Sequence, residues 1–165
     1  PDEIPRPEIL INLKLNKKYG IFLQKMFCYK LNVYNPHESP WEGSRICLKK
    51  NLTSIDFLRQ KVLKKNTRYP FWRIDKEKSI QLIDNGGWHF NYLSEPEKIS
   101  KKLKTFAHTE YNKDEFTNID VVKVNINEMG DLFNRGYQYY KVQLDNAFPD
   151  YISNNQSKYY EWIKH

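Results

Sequence analysis

The spacing of hydrophobic residues predicts a mixture of strands and helices. Apolar and polar side chains alternate from Phe27 to Tyr34, with β-branched and aromatic residues among them, which predicts a half-buried strand over residues 21–34. Shorter strands are predicted over residues 45–48, 79–83, 88–92 and 139–144. Residues 84–87, Asp-Asn-Gly-Gly, are predicted to form the turn that joins two of these strands.

Helical spacing appears between the predicted strands. Helices are predicted to begin near Pro5, Thr53, Ser94 and Asn118. Ser94 and Glu97 have the spacing of a capping box, in which each side chain accepts a hydrogen bond from the backbone N–H of the other residue. Thr53 and Asp56 have the same spacing. Ile99, Leu103 and Phe106 are expected to line the buried face of the helix that follows Ser94.

Taken together, these elements indicate an α/β or α+β chain. A length of 165 residues suits one compact unit, so a single domain over residues 1–165 is expected. Residues 35–43 are rich in structure-breaking residues and are predicted to be a loop, which contains Trp41.

The chain carries a surplus of positive charge. Its 27 Lys and Arg residues exceed its 20 Asp and Glu residues, which gives a formal net charge of +7. Such a surplus attracts phosphate groups in nucleic acid, at a membrane surface or in a nucleotide. Because the lysines are spread along the chain, a solvated basic surface is favoured over a nucleic-acid footprint.

Cysteine content and hydropathy indicate the redox compartment and whether the chain has a membrane segment. Cys28 and Cys47 form neither a disulfide framework nor a Cys-x-x-Cys metal site, which favours a reducing compartment, although one disulfide between them stays open. The sequence shows no signal peptide and no apolar run of the roughly 20 residues that a membrane span needs. We therefore expect a soluble chain without a membrane segment.

Two carboxylates open the chain. Asp2 and Glu3 lie directly before a predicted strand-to-helix transition. Hard divalent cations bound to phosphates prefer oxygen ligands on a short, rigid turn, which these residues provide. Acidic residues near a helix start also stabilise the helix dipole, and the residues alone do not decide between the two roles.

A second candidate cluster lies at residues 86–90, Gly-Gly-Trp-His-Phe. Gly86 and Gly87 permit backbone geometry closed to other residues and let a ligand approach closely. Trp88 beside His89 offers a sugar-stacking face and a metal or phosphate partner. On these residues alone, a hairpin turn with a hydrogen-bonded histidine is the favoured interpretation.

A third cluster follows the lysine-rich helix. His108 and Glu110 have the chemistry of an acid, a base or a phosphate contact. The carboxyl end of a helix also favours a cationic histidine, and this structural role is favoured when the residues are taken alone.

Several common enzyme motifs are missing from the sequence. It has no Gly-x-x-x-x-Gly-Lys loop, no His-Glu-x-x-His pair and no Gly-x-Ser-x-Gly elbow. Common nucleotide hydrolases, zinc proteases and serine hydrolases are therefore not first choices.

Four segments occur in an order that carries a family resemblance. They are Asp-Glu-Ile-Pro at residues 2–5, Gly-Gly-Trp-His-Phe-Asn-Tyr-Leu at 86–93, Pro-Glu-Lys-Ile at 96–99 and Lys-Leu-Lys-Thr-Phe-Ala-His-Thr-Glu-Tyr at 102–111. Together they resemble glycosyltransferase family 17, the β-1,4-N-acetylglucosaminyltransferases. The resemblance is specific over residues 86–111 and vaguer over residues 14–80.

The resemblance implies a GT-A-type α/β fold, of which this chain is the carboxyl-terminal part. Members of the family carry an Asp-x-Asp-Glu-Ile-Pro element, whose aspartates hold Mn²⁺ or a similar ion such as Mg²⁺ against the diphosphate of a nucleotide sugar. The first aspartate would fall just before Pro1. Most of the nucleotide-binding half is therefore expected to precede this chain, which alone is expected to be inactive.

The resemblance also implies a reaction in glycan biosynthesis. N-acetylglucosamine passes from a uridine-diphosphate donor to a sugar hydroxyl of a glycan acceptor, with inversion at the anomeric carbon. Such a reaction needs a metal to neutralise the departing diphosphate and a carboxylate to take the proton of the attacking hydroxyl. Asp2 is the expected metal ligand, with support from Glu3, and His89 is a second ligand or a phosphate contact.

Glu97 is the expected general base, because it matches a family position at a helix amino end beside the glycine turn. Its place in the predicted capping box is the competing role. Glu110 is held in reserve as the base, and His108 is a further catalytic candidate.

The sugar-binding residues are also inferred from the resemblance. The expected aromatic platforms for the sugar are Trp88, Tyr92 and Trp41, and the ligand is expected to approach closely at Gly86 and Gly87.

A basic phosphate- or nucleic-acid-binding module without catalytic activity is the alternative function. Metal dependence and a weak response to salt would distinguish the enzyme from such a module, whose affinity falls steeply with salt. Abundant Asn, Lys, Ile and Tyr indicate an AT-rich coding genome, which favours a cytoplasmic location over the Golgi lumen.

Overall fold

A computed structural model of the chain describes residues 2–105 and 113–165. The chain divides into two compact units, one formed by residues 1–25 and 39–89 and the other by residues 26–38 and 90–165. Strands and helices occur together, which confirms the mixed α/β class, whereas the GT-A type and the single domain stay predictions.

Four neighbouring strands form the sheet of the first unit. Strand β1 (Glu3–Pro5) pairs antiparallel with β5 (Ile80–Asn91), which lies beside β2 (Tyr19–Cys28), and β2 pairs antiparallel with β4 (Trp41–Cys47). The last residues of β2 and β5 belong to the second unit. The helices are α1 (Pro7–Ile11) and α2 (Ile55–Gln60), and 3₁₀ turns cover Lys49–Asn51 and Lys64–Arg68.

Burial of apolar side chains holds the first unit together. Tyr19, Ile21 and Leu23 project at alternate positions of β2 and pack with Val62 and Ile80. Removing these surfaces from water is the main stabilising term for the unit.

The second unit combines short strands with helices. The end of β2 pairs with β3 (Val33–Tyr34), which pairs antiparallel with β6 (Tyr140–Lys141). The helices are α3 (Pro96–Lys104), α4 (Asp114–Thr117), α5 (Ile119–Glu128) and α6 (Asp150–Ser153), and a 3₁₀ segment covers Gln156–Trp162.

Helices α3 and α5 supply much of the core of the second unit. Ile99 and Leu103 of α3, and Val122 and Ile126 of α5, are spaced four residues apart and therefore share one face of each helix. The predicted buried positions Ile99 and Leu103 are confirmed, whereas Phe106 lies outside the described residues.

The turn predicted at residues 84–87 is wrong, because β5 continues through it from Ile80 to Asn91. Asn85 has a φ of 50° and Gly87 a φ of 134°, so the strand is kinked without reversing. A Cβ on Gly87 would lie 2.1 Å from the carbonyl oxygen of Ile4. The glycine therefore serves the close approach of β1 rather than a hairpin.

Other element boundaries also differ from the predictions. The strand predicted over residues 21–34 is divided into β2 and β3, and the one over residues 139–144 shrinks to Tyr140–Lys141. Trp41 begins strand β4 instead of lying in a loop. Ser54, not Thr53, caps α2, where its hydroxyl accepts from the backbone of Phe57.

A buried carboxylate, Asp131, forms an ion pair with the more exposed Arg135 in the second unit. Asp131 is 6% exposed, and its carboxylate accepts from the Arg135 guanidinium at 2.8 and 3.0 Å and from the Arg135 backbone at 2.7 Å. Arg135 also donates to Glu38 at 3.0 Å. Burial alone would raise the pKa of Asp131, but the hydrogen bonds and charge of Arg135 bring the pKa below its ordinary value.

We predict that Asp131→Asn lowers the free energy of unfolding by about 2 kcal/mol near neutral pH, because a neutral carboxamide cannot keep the charge-assisted hydrogen bonds that the buried carboxylate accepts from Arg135. Urea unfolding over a range of pH measures the effect. The folded-state pKa of Asp131 is depressed, so its contribution is complete above the unfolded-state pKa of about 4 and is lost as the pH falls through the lower folded-state value. The gap between wild type and variant should therefore close below about pH 4.

Asp84→Asn is the matched control, since Asp84 is exposed, and it should change stability by less than about 0.5 kcal/mol. An Asp131→Asn effect of equal size at neutral and strongly acidic pH would contradict the ion-pair account.

Candidate functional site

The Glu3 carboxylate is the centre of a polar cluster in the first unit. Trp41 Nε1 donates to Glu3 Oε1 at 3.3 Å, and Ser44 Oγ donates to Oε2 at 3.2 Å. His89 Nδ1 lies 3.7 Å from Oε1, a distance that makes an ion pair when the imidazole is protonated. Both carboxylate oxygens therefore face donors from other strands.

Strand pairing produces this cluster. Glu3 on β1 is the direct cross-strand partner of His89 on β5, so the two side chains share one face of the sheet. The register depends on Gly87, which is the partner of Pro5 and leaves room for the Ile4 carbonyl. Two sequence motifs far apart in the chain are thus brought side by side.

An aromatic pair adjoins the carboxylate. The Trp41 indole stacks on the His89 imidazole, with ring centroids 5.1 Å apart and an interplanar angle of 19°. Trp41 is 37% exposed, whereas His89 is 6% exposed. The indole consequently covers the imidazole and presents its own outer surface to solvent.

A cleft of about 480 Å³ opens beside this cluster. Asp2, Glu3, Trp41, Arg45 and Arg59 are among its lining residues. With Glu42, which also lines it, the cleft combines three carboxylates, two guanidinium groups and an aromatic side chain, a set of groups that suits a charged, polar ligand with an apolar face.

Arg45 supports the wall of the cleft. Its guanidinium donates to the carbonyl oxygens of Val62, Glu42 and Gly43 at 3.0, 3.3 and 2.9 Å. Burial lowers the pKa of Arg45 from its ordinary value. Arg59 is exposed near the end of α2, where its charge faces the open cleft.

A buried carboxamide lies next to the cleft. Gln24 on β2 is 0% exposed, and among the described residues neither polar atom of its side chain has a hydrogen-bond partner. Leaving such a group unpaired in the interior costs about 1–3 kcal/mol. Gln24 is the cross-strand partner of Trp41, and a Cβ on Gly43 would lie 1.8 Å from its Oε1.

The other aromatic candidates are less accessible. Trp88 is 2% exposed, and the Arg6 guanidinium lies 4.3 Å from its ring centroid, so in this structure Trp88 is a core residue that offers no open face to a sugar. Tyr92 lies in the second unit, where the Lys102 ammonium is 4.9 Å from its ring centroid. Burial raises the pKa of Tyr92 to about 12.

Gly86 and Gly87 are both buried within β5. Gly87 accommodates the Ile4 carbonyl of the neighbouring strand. Their role in this structure is therefore backbone packing, and a close approach of ligand at these glycines stays a prediction.

The catalytic candidates lie in the second unit. Glu97 is exposed in the first turn of α3, and its Oε1 is 3.7 Å from the ammonium group of Lys123. The predicted capping box at Ser94 is wrong, because Glu95 is the N-cap residue and its side chain makes no capping hydrogen bond. His108 and Glu110 lie outside the described residues.

The predicted metal ligands form no ready-made cage. Among the described residues, no three His, Cys, Asp or Glu side chains are grouped to hold a metal ion. Asp2 is nevertheless exposed and lines the cleft. Mg²⁺ is usually held by one or two carboxylates together with substrate phosphates, so Asp2 fits that pattern.

The chain was compared with protein-family models, curated proteins and solved structures, and no match was found. The relation to glycosyltransferase family 17 therefore stays a prediction from the motifs. No helix within residues 2–105 and 113–165 is long and apolar enough to cross a bilayer.

Sequence reasoning did not single out Gln24, Arg45, Arg59 or Ser44. Gln24 could have been noticed, because it is a polar side chain at a position of β2 flanked by Phe22 and Met26 on the same face. The lack of a hydrogen-bond partner for Gln24 could not have been predicted, because it depends on which distant side chains reach the carboxamide.

We predict that Gly43→Ala destabilises the protein by about 1–3 kcal/mol, because its new methyl group must displace the buried Gln24 carboxamide. The Gly43 backbone is outside the left-handed region, so the contact alone is the constraint. In a Gln24→Ala background the space is empty, and Gly43→Ala should cost little. Urea unfolding of the two single variants and the double variant measures the coupling. Equal costs of Gly43→Ala in both backgrounds would show that the contact does not exist.

Proposed function

We propose that the chain is part of a metal-dependent, inverting glycosyltransferase that takes N-acetylglucosamine from a nucleoside-diphosphate donor and transfers it to a sugar hydroxyl. The observation that carries the proposal is the first-unit cleft, where Asp2, the Trp41 indole and Arg59 line one cavity. A sugar diphosphate has matching parts: phosphates that bind cations and guanidinium groups, and a pyranose with an apolar face.

Different cleft residues would bind different parts of the donor. Asp2 would hold a Mn²⁺ or Mg²⁺ ion against the donor diphosphate, and when bound the ion would neutralise the charge of the leaving group. Arg59 is placed to contact a phosphate oxygen by charge-assisted hydrogen bonds. The exposed face of Trp41 would pack on the sugar ring.

Glu3 is better suited to positioning than to direct ligation. Its oxygens accept from Trp41 and Ser44 and lie close to His89. The carboxylate thereby fixes the orientation of the indole that contacts the sugar. His89, stacked beneath the indole, supports it from the other side.

Glu97 would act as general base. Its carboxylate would take the proton from the acceptor hydroxyl, whose oxygen forms a bond to the anomeric carbon as the bond from that carbon to the diphosphate breaks. The resemblance supports this role, and the exposed position of Glu97 in the first turn of α3 is consistent with it.

A second candidate is favoured by a different surface of the first unit. Phe71 and Trp72 are 85% and 65% exposed, beside Arg73, in a segment that also contains Arg68 and Lys76. Exposed aromatic side chains among cations are typical of stacking platforms for single-stranded nucleic acid. Such binding would be independent of metal and would weaken steeply with salt.

We predict metal-dependent transfer from uridine-diphosphate N-acetylglucosamine by a protein in which residues 1–165 are joined to a nucleotide-binding half of the kind that the family resemblance implies. Glu97→Gln should lower turnover by about 10²- to 10⁴-fold with little change in donor binding, because a carboxamide cannot take the proton. Asp2→Asn should weaken donor binding in Mn²⁺ and make turnover insensitive to the ion. Steady-state kinetics and donor binding, each with and without Mn²⁺, measure both effects.

Glu115→Gln is the control for Glu97, since Glu115 is an exposed glutamate paired with Lys113 as Glu97 is with Lys123, and it should leave turnover unchanged. Turnover unaffected by Asp2→Asn would remove the metal-site assignment. Binding of single-stranded oligonucleotide that requires Phe71 and Trp72, together with an absence of any nucleotide-sugar turnover, would favour the second candidate.

A further inference from the structure

Gln24 in the first unit carries a buried carboxamide that is unpaired among the described residues. The side chain has no exposed surface, and within the described part of the chain its oxygen and nitrogen have no hydrogen-bond partner. Buried polar groups in proteins are nearly always paired, and an exception calls for an explanation such as a ligand or a bound water. Gln24 offers one acceptor oxygen and two N–H donors.

Two neighbours of Gln24 line the cleft, although Gln24 itself does not. Its cross-strand partner Trp41 lines the cleft, and because paired residues share a face, both side chains project on the same side of the sheet. Gly43, which also lines the cleft, leaves the space that Gln24 Oε1 occupies. The carboxamide thus lies against the cleft-lining residue Gly43, on the same side of the sheet as Trp41.

Trp41 is the partly exposed neighbour of Gln24 at the cleft. It is 37% exposed, and its recorded contacts are a stack on His89 and a 3.3 Å hydrogen bond to Glu3. A change of its side-chain rotamer would break these two contacts but would leave the backbone pairing of β2 with β4 intact. The same indole could then pack against whatever enters.

We propose that Gln24 binds the acetamido group of an N-acetylated sugar that enters this cleft beside Gly43, with Trp41 moving to admit the group and then packing on the sugar. The choice of an N-acetylated sugar rests on the proposed function, whereas the acetamido subsite at Gln24 is an addition to that function. An acetamido group carries one N–H donor and one carbonyl acceptor, which match the acceptor and donors of the Gln24 carboxamide. Its methyl group is suited to the aromatic surfaces of Trp41 and His89.

A sugar with a hydroxyl in place of the acetamido group cannot satisfy this site in the same way. A hydroxyl can donate and accept, but it is shorter than an acetamido group and does not reach the buried carboxamide, so Gln24 stays unpaired. Sites that hydrogen-bond a substrate group reject analogues lacking that group, because their buried polar atoms are then left without partners. Gln24 therefore acts as the specificity residue for N-acetylated over unmodified sugars.

The test is a titration of the 165-residue chain with methyl β-N-acetylglucosaminide and with methyl β-glucoside, followed by NMR. The acetamido sugar should bind at least about tenfold more tightly. It should also shift the side-chain amide signals of Gln24 and the indole N–H signal of Trp41, whereas the glucoside should leave the Gln24 signals in place.

Gln24→Met removes the carboxamide and keeps a similar volume. The variant should be at least as stable as wild type, because it removes an unpaired buried polar group, while its preference for the acetamido sugar disappears. Gln81→Met on β5 is the control and should keep the preference, since both polar atoms of the Gln81 side chain are already hydrogen-bonded to the backbone at Asn16 and Lys14.

The outcomes separate this inference from the proposed function. Equal affinity for the two sugars, no binding of either, or a preference that survives Gln24→Met would each overturn the role of Gln24. Binding of uridine diphosphate with Mn²⁺ but without an N-acetyl preference would overturn only this inference. An N-acetyl preference that requires Gln24, in a protein with no affinity for uridine diphosphate, would support the subsite and contradict the nucleotide-sugar donor.

Discussion

The pairing of β1 with β5 is the constraint on which the candidate site depends. It sets Glu3 opposite His89, and it is possible because Gly87 leaves room for the backbone carbonyl of Ile4. Any side chain at position 87 would collide with that carbonyl and would also have to adopt a φ of 134°. With the register fixed, Glu3 can accept from Trp41 and Ser44 on β4, so three strands contribute to one polar cluster.

One buried polar side chain in each unit shows a contrast in hydrogen bonding. In the second unit the Asp131 carboxylate receives a bidentate guanidinium and a backbone N–H, so its charge is fully compensated and the group stabilises the fold. In the first unit the Gln24 carboxamide has no such compensation within the described residues. An unsatisfied group next to a cleft is a common mark of a binding site, where stability is given up for recognition.

The sequence allowed prediction of the elements whose patterns are local, and much less of what depends on distant contacts. The buried face of α3 and the cap at Asn118 follow from residues within a few positions of one another, and both are confirmed. The Asp-Asn-Gly-Gly segment has the composition of a turn, yet pairing with β1 keeps it in an extended strand. Trp88 was predicted to be a sugar platform, but in the structure it is buried in the core. Trp41, which comes from a segment rich in turn residues, is the exposed aromatic side chain at the cleft.

Crystals grown with uridine-diphosphate N-acetylglucosamine and Mn²⁺ would test the central claim, that the first-unit cleft binds a metal and a sugar diphosphate. Anomalous scattering locates the manganese ion independently of any assumption about the ligand. The account predicts one strong peak within coordination distance of the Asp2 carboxylate, with phosphate oxygens completing the coordination sphere. A donor bound elsewhere on the chain, or a manganese peak remote from Asp2, would contradict it.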